Sequence, residues 1–83
     1  MVYEIFFHNR AQKTFNKLDL SVKKNIKKGL EKLKQNPFIG KPLVGNLSGL
    51  WRLRVEKYRI IYQIKQNELI VYLLDIGHRK NIY

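Results

Sequence analysis

The side chains best suited to chemistry here are the arginines of one stretch, Leu50 to Gln63, which reads LWRLRVEKYRIIYQ. Trp51, Leu53 and Val55 alternate with Arg52, Arg54 and Glu56, the two-residue period of a strand with one buried face. After Glu56-Lys57 the alternation resumes, with Tyr58, Ile60 and Tyr62 set against Arg59, Ile61 and Gln63. With Glu56-Lys57 as the tip of an antiparallel hairpin, Val55 faces Tyr58, Leu53 faces Ile60 and Trp51 faces Tyr62, an apolar and aromatic face in which Trp51 is core. The same register sets Arg54 opposite Arg59, with Arg52 two residues away on that face. Like charges opposite each other destabilise a sheet, so the arrangement asks for an anionic partner. Guanidinium groups hold phosphoryl oxygens, and they stabilise the charge that builds there during attack on a phosphodiester.

The remaining elements must position that hairpin. Val2 to Phe7 (VYEIFF) is β-branched and aromatic and reads as a first strand. Asn9 is the expected N-cap of a short helix with Ala11, Phe15 and Leu18 on one side. Asp19 or Ser21 caps a longer helix whose apolar stripe is Val22, Ile26, Leu30 and Leu33. Its other side carries Lys23, Lys24, Lys27 and Lys28, an expected contact for RNA phosphates. Gly29 marks close packing against a neighbour, and Asn36-Pro37 ends the helix. Phe38 to Gly49, with Gly40, Pro42, Gly45 and Gly49, reads as a loop. Tyr58 to about Lys65 is the third strand, Gln66-Asn67 a turn, and Glu68 to Ile76 the fourth, closed by Gly77. Ile60, Tyr62 and Ile64 are then expected to meet Leu73, Val71 and Leu69.

The layout predicts one domain over residues 1–83 in a two-layer α+β fold. Two N-terminal helices pack on one face of a four-stranded, mainly antiparallel sheet, in the order β-α-α-β-β-β. The other face is left with the arginines and with Ile61, Tyr72 and Leu74, an expected docking surface for a protein segment. An open face that mixes cations and aromatics suits single-stranded RNA.

Composition narrows the class. The 83 residues carry 17 Lys plus Arg against 6 Asp plus Glu, a net charge of +11, which points to nucleic acid, an anionic membrane or an acidic protein. With no cysteine and two histidines, no metal site and no cofactor is expected. No apolar run approaches the ~20 residues of a membrane span, and no signal peptide precedes the first strand, so no membrane partner and a cytoplasmic location are the expectation.

Taken in order, His8-Asn9-Arg10-Ala11, LEKLKQNP, GKPLVGNLSGLWRLRV, YRIIYQ and the terminal IGHRKNIY make a specific pattern over nearly the whole chain. It resembles the RelE-type toxins of the RelE/ParE superfamily of toxin–antitoxin systems. The resemblance implies a RelE-like fold and an endoribonuclease, an mRNA interferase that enters the ribosomal A site, cuts messenger RNA and inhibits translation. A cognate antitoxin protein and the ribosome, with its mRNA and ribosomal RNA, are the implied partners. In that family the active site is shared by basic residues on the second strand, an arginine opening the third, an arginine after the fourth and a C-terminal tyrosine. These positions fall on Arg52, Arg54, Arg59, Arg79 and Tyr83. The implied chemistry uses the substrate's own 2′-hydroxyl as nucleophile and leaves a cyclic phosphate and a 5′-hydroxyl end, without metal.

Arg59 and Arg79 are the candidates for stabilising the phosphoryl charge. Tyr83 is the candidate for orienting or proton-coupling the 2′-hydroxyl or stacking on a splayed base, and Arg52 and Arg54 for holding flanking phosphates. The family's best-known member has lysines where this chain has Arg52 and Arg54. Arginine, with a pKa of about 12.5 or more, is a poor base at neutral pH, so proton removal is left to Tyr83, to His78 or to water. Two other functions stay open from sequence: a ParE-like protein that inhibits DNA gyrase by binding, and a non-catalytic RNA- or ribosome-binding member.

Overall fold

Residues 2–78 are described by a computed structural model. They run β1 (Glu4–Phe7), α1 (Asn9–Asn16), α2 (Leu20–Gln35), β2 (Lys41–Pro42), β3 (Trp51–Val55), β4 (Tyr58–Lys65) and β5 (Ile70–His78), with short 3-10 turns before β2, before β3 and before β5. The strands form one mixed five-stranded sheet in the order β1-β5-β4-β3-β2. Only β1 against β5 is parallel.

Burial of two amphipathic stripes explains the two layers. Ala11 from α1 and Ile26, Leu30 and Leu33 from α2 join Tyr3, Ile60, Tyr62, Val71, Leu73 and Ile76 in one cluster. Both helices therefore cover the sheet face that carries the alternate apolar residues of β4 and β5. Gly29 is buried in α2, where an added Cβ would stand 3.0 Å from Val55 Cγ2 and 3.3 Å from Leu53 Cδ2. The expected close approach is thus between α2 and β3. Asp19 is the N-cap of α2. At α1 the cap is His8 rather than Asn9: its Nδ1 accepts from the Arg10 backbone N–H at 3.2 Å.

The β3–β4 hairpin has the expected register, with Val55↔Tyr58, Arg54↔Arg59, Leu53↔Ile60 and Trp51↔Tyr62. Glu56 takes the positive φ (53°) that the two-residue tip needs. Three expectations are corrected (strand number, β4–β5 register and the end of the last strand), and the position of the first strand, which the sequence left open, is given. The sheet has five strands, not four, because Lys41–Pro42 pairs with β3 inside the stretch read as a loop. The first strand lies at an edge and runs parallel to β5. The β4–β5 register is Ile60↔Ile76, Tyr62↔Leu73 and Ile64↔Val71, not the expected set, and the final strand extends to His78, past Gly77.

The register differs for two physical reasons. The connection is a 3-10 turn, Gln66–Glu68, closed by Leu69 in the left-handed region (φ 56°), which is longer than a two-residue tip. A bulge at Ile61/Tyr62 then leaves an extra residue on β5. It moves the inward position from Asp75 to Ile76, so the apolar residue is buried and the acid stays out of the core.

Candidate nucleic-acid interface

The face that the helices leave uncovered carries Arg52 and Arg54 from β3 and Arg59 from β4. Alternation turns these side chains away from Leu53, Val55 and Ile60, which face α2 or the core. Arg54 is exposed, and Arg52 and Arg59 are half-buried. Arg54 and Arg59 are direct cross-strand partners. The structure therefore brings together the three arginines that sequence spacing singled out.

It adds a cation that the sequence reading left in a loop. Lys41 pairs with Arg52 across β2 and β3, so a second pair of like charges lies in register beside Arg54↔Arg59. A cleft of about 260 Å³ opens at this edge, lined by Ile39, Gly40, Lys41, Arg52, Leu53 and Arg54. Gly40-Lys41-Pro42 was the available signal, since proline in a strand marks an edge strand. A two-residue strand has no periodicity by which to recognise it.

Tyr62 holds that edge in place. Its hydroxyl donates to the Pro37 carbonyl oxygen at 2.7 Å and accepts from the Gly40 backbone N–H. Burial, opposed by the Gly40 hydrogen bond, pushes the phenol up to about 12. Gly40 has to be glycine: a Cβ there would overlap the Tyr62 hydroxyl and lie 2.6 Å from the Arg52 carbonyl oxygen. Trp51 stacks on Tyr62 with ring centroids 6.5 Å apart and meets Phe38 edge-on at 5.5 Å. Trp51, expected in the core, is partly buried and packs against it, and it also props the loop that delivers Lys41.

The other candidates are placed as follows. Lys23 is half-buried with its ammonium 5.9 Å from the Phe15 ring centroid, and Lys24, Lys27 and Lys28 are exposed. All four ride on the helix layer, so the protein has two cationic surfaces on opposite sides of the sheet. His78 pairs with Tyr58, their rings edge-on at 5.2 Å. Tyr58 belongs to the helix-side set, so His78 lies on the face opposite the arginines. Asp75 is half-buried with Arg10 at 4.0 Å, and its Oδ1 accepts from the Ile76 backbone N–H at 3.0 Å. Ile61, expected on an exposed docking surface, is only 4% exposed, while Tyr72 and Leu74 are half-buried. Arg79 and Tyr83 lie outside the described residues.

Among the described residues no three His, Asp or Glu side chains gather into a group that could hold a metal ion, and no helix is long and apolar enough to cross a membrane.

The protein is thus an α+β domain with a helix pair on one face of a mixed sheet and arginines on the other. Residues 5–83 match the family described as the ParE toxin of the type II toxin–antitoxin system parDE, and the chain belongs to that family. It is 26% identical to the mRNA interferase toxin RelE of Escherichia coli over 96% of this chain and 86% of that protein. It is 29% identical to the toxin RelG of Mycobacterium tuberculosis over 100% of this chain and 98% of that one. Among solved structures, a chain of the RelBE2 toxin–antitoxin complex from Mycobacterium tuberculosis superposes with a TM-score of 0.87 at 27% identity, covering 95% of this chain and 100% of that chain.

Proposed function

We propose that this protein is the toxin of a type II toxin–antitoxin pair and that it cuts messenger RNA in the ribosomal A site, which stops translation. The observation that carries this reading is the open sheet face on which Arg54 and Arg59 stand directly opposite each other with Arg52 on the same strand. A cluster of guanidinium groups on one sheet face suits the phosphates of a polyanion.

In the proposed step the 2′-oxygen attacks the adjacent phosphorus and the bond to the 5′-oxygen breaks. A 2′,3′-cyclic phosphate and a 5′-hydroxyl end result. The 2′-hydroxyl proton passes to a base, and the leaving 5′-oxygen takes a proton. Arg59 and Arg79 hold the phosphoryl oxygens, whose charge grows in the transition state, and Arg52 and Arg54 hold flanking phosphates. Arginine does not serve as the base. With His78 turned to the helix side against Tyr58, Tyr83 or water remains for that task. The lysines of α2, on the other surface, meet ribosomal RNA.

The solved relative was crystallised as a toxin–antitoxin complex, and a cognate antitoxin is the partner proposed here. The open edge of β1 fits that role, because the groove beside it, about 720 Å³, is lined by Val2, Tyr3, Ile5 and Leu30 among others.

The test is in vitro translation with added protein, followed by primer extension to map mRNA ends, with Arg59→Ala, Arg79→Ala and Tyr83→Phe beside wild type. Cuts within the A-site codon that weaken in the variants are expected. The matched family bears the ParE name, which favours gyrase inhibition as the second reading. Arrest without cuts, together with loss of gyrase supercoiling, would establish it instead. Ribosome binding without either effect would leave a non-catalytic RNA-binding member.

A further inference from the structure

We infer that Lys41, together with Arg52 and Arg54, forms a separate phosphate subsite for single-stranded RNA at the β2–β3 edge, and that Tyr62 is its positioning residue. The inference rests on the reading of the arginine face as an RNA surface, and it extends that face by one strand.

Three observations carry it. Lys41 stands opposite Arg52 in an antiparallel pair, so both side chains leave the sheet on the same side, the side of Arg54. Lys41 and Arg52 are like charges set directly opposite each other, an arrangement that favours an anion between them. The cleft between them, about 260 Å³, has cationic walls from both strands.

The strand that carries Lys41 is not held by its own pairing, which is two residues long. It is held by Tyr62, which donates to Pro37 and accepts from Gly40 just before Lys41. Adjacent strands lie ~4.8 Å apart, so β2 and β4 are separated by about 10 Å. A phosphate held at Lys41 is therefore a different one from the phosphate at Arg59. The subsite selects for a flexible strand that can follow the sheet from β4 to β2, which a base-paired helix cannot do.

The experiment measures fluorescence anisotropy of a labelled single-stranded RNA oligonucleotide against salt concentration. The full chain is used, with Lys41→Gln, Lys41→Arg, Tyr62→Phe and the charge-matched Lys13→Gln on α1. Thermal melting checks that each variant is folded. Lys41→Gln is expected to weaken binding about tenfold and to reduce the slope of log K on log salt by about 0.7. Lys41→Arg should restore both. Lys13→Gln should change binding less than twofold, within what a surface charge outside the face does. Folded Tyr62→Phe should lose affinity and part of the salt slope, since Lys41 is kept but no longer placed to meet the phosphate.

Equal affinity and slope for wild type and Lys41→Gln would overturn the subsite, and so would a wild type that binds no single-stranded RNA. mRNA cleavage on ribosomes is scored separately. A wild type that binds RNA through Lys41 but makes no cuts would leave the subsite standing and remove the nuclease reading.

Discussion

Arg54 is exposed and directly faces Arg59, and in the proposed function its charge serves phosphate binding rather than the fold. Arg54→Gln should leave stability unchanged or raise it by up to about 0.5 kcal/mol, the scale of one relieved cross-strand repulsion, while lowering mRNA cleavage. Urea titration beside primer extension checks the two directions together. A fall in both would mean that Arg54 is structural. Tyr62 shows the converse case, a side chain whose value lies in the fold. Its pKa is raised to about 12 from 10.0, so the neutral phenol stabilises the native state fully below pH 10, and that contribution is lost as pH rises towards 12. At about 1.4 kcal/mol per unit, the loss across this window is on the order of 2 kcal/mol. The difference in urea midpoint between wild type and Tyr62→Phe should therefore shrink steadily from pH 9 to pH 11.5. Near neutral pH, Tyr62→Phe should destabilise by about 1–2 kcal/mol, because the Pro37 carbonyl and the Gly40 N–H lose their shared partner.

Two glycines decide how elements meet. At Gly29 a methyl group would raise helix propensity by about 1 kcal/mol but would press on Val55 Cγ2 at 3.0 Å and Leu53 Cδ2 at 3.3 Å. Val55 is β-branched and stiff, and overpacking costs about 1–3 kcal/mol, so Gly29→Ala should be net destabilising by about 1 kcal/mol. Thermal denaturation reads the sign, and a rise in Tm would show that β3 yields. At Gly40 the obstacle is the Arg52 backbone carbonyl at 2.6 Å, which has no freedom to step aside while β3 stays paired. Gly40→Ala should cost about 2–3 kcal/mol and should also displace Lys41, so RNA affinity falls beyond what the stability loss explains. Both glycines are visible as letters in the sequence. What each one touches is not, because Val55 and Arg52 reach them only through tertiary contacts.

At the scale of the whole molecule the net charge of +11 acts on folding and on binding in opposite directions. Added salt screens self-repulsion and should raise Tm between 50 and 500 mM NaCl. The same salt should weaken RNA binding. With Lys41, Arg52, Arg54 and Arg59 each neutralising a phosphate, the slope of log K on log salt is about −3, or roughly fiftyfold between 50 and 200 mM. The two cationic surfaces separate in the same way. Replacing Lys24 and Lys28 by Gln should raise KM for ribosome-bound mRNA without changing kcat, since these residues ride on the helix layer. Replacing Arg59 should lower kcat.

The alternation of Trp51 to Gln63 and the stripe Val22, Ile26, Leu30 and Leu33 determined by themselves the hairpin, its register, the helix layer and the arginine face. They could do so because each is a local period that has one solution once a single face must be buried. The residue pattern also carried the RelE-type assignment, which the family match over residues 5–83 supports. Only the tertiary structure decided the parallel placement of β1, the bulge that turns Ile76 inward in place of Asp75, the burial of Ile61 and the recruitment of Lys41 into a fifth strand. Three of these depend on named partners distant in sequence: β5 for β1, β4 for the bulge, and the Tyr62 hydroxyl for the segment that carries Lys41. A two-residue strand or a single extra residue leaves no period to read, and its position is set where long-range hydrogen bonds and burial are satisfied together.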